Sequence, residues 1–339
     1  MDTANRPSRG VSLRSRRAHA LGAVVVLMLA GCGLRLETPE PDPLVPDDLE
    51  IVRADSAADA ADLRERATEA GLGAPPEVVA VLDRVAEASD AHHEAFGGTY
   101  VPFPDVTPPP SPTPTATPTT APPPPATPDD VLSGLVEGAA EARADAEAVP
   151  DGSMARLLAA VSVNRSLLAD ALAAALGTDA GPTVTFVVPE TVPDGLTTQE
   201  VAVLVQSEDA TGLAWEVTAA RSADPAQRDL AAARAKTHRD RAQAWAEAAG
   251  IAGSGTDPRR SSYTLPEILG DLEAPADARL TALGEVEAAL ATSYMSLVAH
   301  AEVDARGVLI DAVLDTLRIR VSGDAADVPD FPGLPEQDG

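Results

Sequence analysis

Residues 201–217 read "VAVLVQSEDATGLAWEV". Val201, Leu204, Thr211 and Trp215 recur at the i, i+3, i+4, i+7 spacing of one helix face, and Glu208 lies on the same face. An acidic residue inside an apolar stripe is the feature around which the rest of the chain is read. Three further stretches downstream carry helical faces of their own. In 225–249, Arg234, His238, Ala242 and Trp245 share a face. In 276–301 the face is Leu280, Leu283, Glu287, Leu290, Tyr294 and Leu297, and in 304–320 it is Ile310, Val313, Leu314 and Leu317. Breakers and prolines over "GSGTDPRRSSYTLPEI" leave about 26 residues between the second and third helix, whereas bundle connections usually take about 2–8. Two helix pairs joined by a long crossover predict an all-α bundle over 197–321 with Glu208, His238 and Glu287 converging inside it.

The same plan is predicted upstream, over 53–178. The helical stretches there are 54–71, 75–98, 129–149 and 153–176. Residues 101–128, "VPFPDVTPPPSPTPTATPTTAPPPPATP", interrupt them. Proline fixes φ and donates no hydrogen bond, so this segment is expected to be disordered and polyproline-like, a solvated spacer inserted in the crossover. Both halves carry histidine and then an aromatic before glycine on the second helix, "DAHHEAFGG" and "THRDRAQAWAEAAG", as a duplication would leave them. His92 and His93, on an acidic helix, are expected to be solvated. Residues 179–196, including "TVTFVVP", are expected to form an extended connector, and 322–339 a disordered tail.

The amino terminus carries a different message. Arg6, Arg9, Arg14, Arg16 and Arg17 precede an apolar run, Ala20 to Ala30, of 11 residues. That is too short to span a bilayer, which takes about 20, and fits the core of a signal peptide over 1–31. Leu29-Ala30-Gly31-Cys32 resembles the bacterial lipobox, and Cys32 is the only cysteine. The resemblance implies that the Cys32 thiol is alkylated by diacylglycerol and the chain cut before it. Residues 32–52 would then be a tether, and the protein would sit on the extracytoplasmic face of the cell membrane. Ser15-Arg16-Arg17 hints at twin-arginine export, but no bulky apolar residue follows closely, so general secretion is expected.

Without residues 1–31, the chain's 25 basic and 53 acidic side chains become 20 and 52, a net charge of −32. Such a surface excludes general affinity for nucleic acid or anionic headgroups. The expected partners are the membrane, through lipid on Cys32, and a protein of the cell envelope.

The stretches "QSEDATGLAWEV", "KTHRDRAQAW", "SYTLPE" and "ALATSYMSLVA" resemble a ferritin-like domain of unknown function found in actinobacterial lipoproteins, over roughly 195–320. The resemblance implies a ferritin-like four-helix bundle over that half, and the echo between the halves extends the same plan to a second ferritin-like bundle upstream. A di-metal bundle needs a Glu on each of two helices and Glu-x-x-His on each of the other two. Glu208 and Glu287 stand where the single glutamates would be and His238 where a histidine would be. Ala235 replaces the glutamate before it, and the fourth helix has no histidine. No metal or other cofactor is therefore expected at Glu208, His238 and Glu287, and no catalytic residue is identified. The two carboxylates are expected to flank the core in water, with His238 hydrogen-bonded to one of them. A non-enzymatic scaffold is the reading, against a metal-binding or redox protein with a reduced site.

Overall fold

Every helix of twenty residues or more begins where an oxygen side chain or a proline meets its first turn. The computed structural model describes residues 45–101, 125–181, 185–271, 273–318 and 325–337, and the described residues from 46 onward form one compact unit. The first helix, α1 (Asp48–Ala70), is capped by Asp47, whose carboxylate accepts the Glu50 N–H. It therefore starts inside the stretch read as tether; Asp47-x-x-Glu50 is the capping signal there. Then follow α2 (Pro76–Ala95), α3 (Pro128–Ala148) and α4 (Gly152–Leu176). The second half holds α5 (Thr198–Arg221), α6 (Pro225–Ala248), the single turn α7 (Glu267–Gly270), α8 (Ala276–Val298) and α9 (Gly307–Arg318). Thr127 and Thr197 close capping boxes with Asp130 and Glu200 at the starts of α3 and α5. No strand occurs among the described residues, so the described fold is all-helical.

Short connections make hairpins of α1–α2, α3–α4, α5–α6 and α8–α9, and each pair packs along its length. In the first half α1 also packs on α3 and α2 on α4; in the second, α5 packs on α8. The two halves are not sealed from each other. Helix α4 lies against α8 and α9 as well as its own hairpin partner, and every residue from Leu158 to Arg165 is buried. An all-round apolar helix must be covered on all sides. It is the one described helix long and apolar enough to cross a membrane, and 78% of its apolar window is buried in the protein. Gly152 opens it with no side chain, because a Cβ there would stand 2.4 Å from the Ala299 carbonyl oxygen at the end of α8.

Three further expectations are corrected. The tail, expected to be disordered over 322–339, is packed at residues 325–337: Ala325, Val328, Phe331 and Leu334 are buried. Arg84 holds the Val328 carbonyl at 2.7 Å and the Asp330 carboxylate at 2.6 Å, and Asn164 holds the Pro329 carbonyl at 2.7 Å. The four apolar residues give this short segment enough surface to bury against α2 and α4. Leu280, assigned to the inward stripe, is at the N-terminal end of α8 and is 50% exposed. His92, expected in water, is buried. Residues 1–44, on which the expectations of a signal peptide and of a lipidated Cys32 fall, and residues 102–124 of the proline-rich segment lie outside the described residues.

Candidate functional site

The helical repeat carries four side chains of α6 into the second half of the molecule: Arg234, His238, Arg241 and Trp245 recur at spacings of four, three and four. Helix α5 contributes Glu208 and Trp215, α8 contributes Glu287 and Tyr294, and α9 contributes Asp315. Glu208, His238 and Glu287 converge and are sealed from solvent, at 0% exposure each. The carboxylates are thus inside the core and not at its edge in water.

The imidazole of His238 is held from both sides. Nδ1 lies 2.6 Å from Glu208 Oε2 and Nε2 lies 3.0 Å from Glu287 Oε1. A carboxylate only accepts, so both ring nitrogens donate and the ring is an imidazolium. Burial alone would lower the His238 pKa; the hydrogen bonds and charges of the two glutamates outweigh it and raise it. Glu287 is pushed the other way. Burial opposes its charge, but His238 and Arg234 hold its carboxyl down at about 2.

The remaining lone pairs are filled by the surrounding shell. Trp215 Nε1 donates to Glu287 Oε1 at 2.7 Å, and Arg234 Nε donates to the same oxygen at 3.1 Å. The Tyr294 hydroxyl donates to Glu208 Oε1 at 2.5 Å and accepts from Trp245 Nε1 at 2.9 Å. Burial and the Glu208 charge raise the Tyr294 pKa well above its ordinary value, so it remains a donor. Asp315 Oδ2 accepts from Arg234 Nη1 at 3.1 Å and Arg241 Nη2 at 2.7 Å. The connector closes this side: the Arg241 guanidinium stands 4.7 Å above the Phe186 ring, whose edge meets Tyr294 at 5.7 Å. Glu208, Glu287 and Asp315 are thus matched by His238, Arg234 and Arg241, so the cluster needs no outside charge.

The crossover is pinned beside it. Asp209 accepts from the Tyr263 hydroxyl at 2.6 Å and the Arg260 N–H at 3.3 Å, and pairs with Arg239. This explains "SYTLPE" as a fastening of loop to helix.

Residues 200–336 match the model of a domain of unknown function, DUF4439. The match covers less than half of the chain. No curated protein and no solved structure matches the chain. The DUF4439 span takes in all of the cluster and reaches through the packed tail.

Sequence reasoning placed Glu208, His238 and Glu287 together but gave no role to Arg234, Arg241 or Asp315. The signal was present for the arginines, since charges recurring on an inward helical stripe must be paired inside. Asp315 stands off the apolar stripe of α9 and left no such mark. The fit of a di-metal centre fails on this geometry. Each imidazole nitrogen already faces a different carboxylate, on opposite sides of the ring, and Arg234 covers Glu287. Among the described residues, no group of three or more His, Cys, Asp or Glu side chains is arranged to hold a metal ion.

In the first half, His92 Nε2 meets the Asp330 carbonyl at 2.9 Å and the ring meets Phe331 edge-on at 5.3 Å. Burial, with Arg165 and Arg84 nearby, lowers its pKa to about 3. Nε2 donates to the carbonyl, and Nδ1 has no protein partner. His93 Nδ1 meets the Ala57 carbonyl at 2.9 Å.

Proposed function

We propose that the protein is a lipid-anchored, non-enzymatic scaffold of the cell envelope, built on ferritin-like helical bundles whose metal centre has been replaced by side chains. The observation that carries this reading is His238 held between Glu208 and Glu287, both of its nitrogens spent. A metal ligand must offer a lone pair, and an imidazolium has none. Arg234 and Arg241, with Asp315 between them, join His238 to supply the positive charge that metal cations would otherwise bring. The ferritin-like assignment rests on paired helices, a long crossover and inward glutamates on α5 and α8. The anchor rests on Leu29-Ala30-Gly31-Cys32. Two or three acyl chains on one cysteine suffice for stable attachment where one does not. A strongly acidic exterior suits a partner of complementary charge in the envelope.

Isothermal titration of metal-free protein with zinc, iron(II) and manganese tests the replaced centre. The expected result is no binding at micromolar or tighter. Such binding, lost in His238→Ala, would overturn the scaffold reading in favour of a reduced metal site. Cell fractionation tests the anchor: Cys32→Ser is expected to leave the membrane pellet, and a variant still found there removes the lipid from the account. A pull-down from envelope extracts with residues 33–339 as bait then looks for the partner.

A further inference from the structure

Residues 328–331 read Val-Pro-Asp-Phe, and three consecutive main-chain carbonyls of this stretch are each taken by a different side chain of the first half. Arg84 Nη2 donates to the Val328 carbonyl at 2.7 Å, Asn164 Nδ2 to the Pro329 carbonyl at 2.7 Å and His92 Nε2 to the Asp330 carbonyl at 2.9 Å. Two ion pairs frame them, Arg84 with Asp330 at 2.6 Å and Arg156 with Glu336 at 2.9 Å. Arg84 and His92 stand eight apart on α2, and Arg156 and Asn164 eight apart on α4. Each pair is a little over two turns apart on one helix face, so the four side chains line about 12 Å of the groove between the two helices. The apolar side chains enter beside them: Val328, Phe331 and Leu334 are buried. Gly333, at φ 79°, closes on α8, where a Cβ would stand 2.8 Å from Met295 Cβ.

Side chains that read main-chain groups in succession, with pockets for the side chains between, are the means by which recognition sites hold an extended peptide. The tail has the properties of such a ligand. Prolines at 329, 332 and 335 restrict its φ angles, so less freedom is lost on docking. Its two carboxylates meet two arginines. The groove's polar groups lie outside residues 200–336, whereas the segment they hold ends that span. The fit is incomplete. Asn164 Oδ1 is buried without a partner, and Pro329 has no N–H to give it. A buried acceptor left without a donor weakens this occupant relative to one that supplies the donor.

We propose that the groove between α2 and α4 is a peptide-binding site, that residues 325–337 occupy it as an intramolecular ligand, and that an envelope partner displaces them with an extended segment of the same chemistry. That segment has an apolar residue, proline, an acid and an aromatic in succession, then glycine two residues on and leucine after it. Its belonging to an envelope protein rests on the scaffold reading; the groove and its ligand do not.

The probe is a fluorescein-labelled synthetic peptide of residues 325–337, titrated by anisotropy with the full-length protein in detergent. Phe331→Ala in the protein loosens its own tail and leaves the groove intact. This variant is expected to bind the probe at one site, at least 10-fold more tightly than the unaltered protein does. A probe that itself carries Phe331→Ala is expected to bind the variant at least 10-fold more weakly. Arg84→Gln added to the variant is expected to weaken the original probe about 10-fold, with the circular dichroism spectrum unchanged. Hydrogen exchange on the unaltered protein needs no variant to fold: the amides of Val328, Leu334 and Gln337 are expected to exchange at least 10-fold faster than those of Leu158 to Arg165 on α4. Equal exchange rates would mean that the tail opens only with the whole fold, and would overturn displacement. No binding of the probe to the Phe331→Ala protein, or equal binding of both probes, overturns the site. A dimer lost in Phe331→Ala would assign the groove to the tail of a second copy and overturn the envelope partner. None of these readouts depends on whether the second half takes a metal.

Discussion

His92 on α2 and His238 on α6 are both sealed from solvent, and each is followed by a buried aromatic, Phe96 and Trp245. Around His238, α5 and α8 present Glu208 and Glu287 on their inward stripes, and the imidazole is charged. Around His92 no carboxylate enters. Its Nε2 is spent on a tail carbonyl, and Arg165 and Arg84 further disfavour a second proton. Asp55 and Asp59 of α1 and Glu141 and Asp145 of α3 stand instead around a cleft between α1, α3 and α4. Burial pushes both rings towards neutrality, and the difference is made by what faces them. A helix pair can therefore keep an inward histidine while its neighbours decide whether it carries charge.

The largest expected effect comes from breaking the charged side. Glu287→Ala leaves His238 and Arg234 without their shared partner inside the core. A loss of about 3–5 kcal/mol is expected in urea denaturation, the range for uncovering a buried charge. A loss below about 1 kcal/mol would mean that water reaches the site. Next comes the element that closes the neutral side. Phe331→Ala removes the ring against His92 and is expected to cost about 3 kcal/mol; an unchanged midpoint would mean that the tail does not pack. His92→Leu should cost only about 1 kcal/mol at pH 7, one hydrogen bond to a carbonyl.

The pH dependence has opposite signs in the two halves. His238 has its pKa raised, so its contribution is full below the ordinary value of 6.5 and is lost as pH rises through the folded value. His92 is lowered from 6.5 to about 3, so its neutral burial costs stability as pH falls across that window. Denaturation curves at a series of pH values should show His92→Leu declining less than the unaltered protein between pH 6.5 and 3. Identical slopes would contradict the neutral burial of His92. The smallest effect belongs to the cleft. Asp145→Asn, at the lining of the first half, should change stability by no more than about 0.5 kcal/mol.

The helices were legible because their caps and stripes are local. Thr197, Asp224 and Pro225 mark where α5 and α6 begin, and the stripes of Val201 to Trp215 and Ile310 to Leu317 are buried as their spacing requires. The convergence of Glu208, His238 and Glu287 followed from the same stripes. What the sequence withheld was non-local. His92 is buried because residues 325–337 return across a separation of more than two hundred residues to cover it, and no periodicity in α2 announces that. Arg234, Arg241 and Asp315 pair across α6 and α9. That α4 serves both halves follows from its all-round apolar surface, which a one-sided reading of the bundles overlooks.

Imidazole nitrogen chemical shifts, recorded by long-range proton–nitrogen correlation on uniformly nitrogen-15-labelled protein, test the central claim directly. At pH 7 the His238 ring is predicted to show both nitrogens protonated, and the His92 ring to show one protonated nitrogen, Nε2, and one bare nitrogen, Nδ1. Lowering the pH to 5 should leave both patterns unchanged. A bare nitrogen on His238 at pH 7 would contradict the self-neutralised core and reopen the site to a metal.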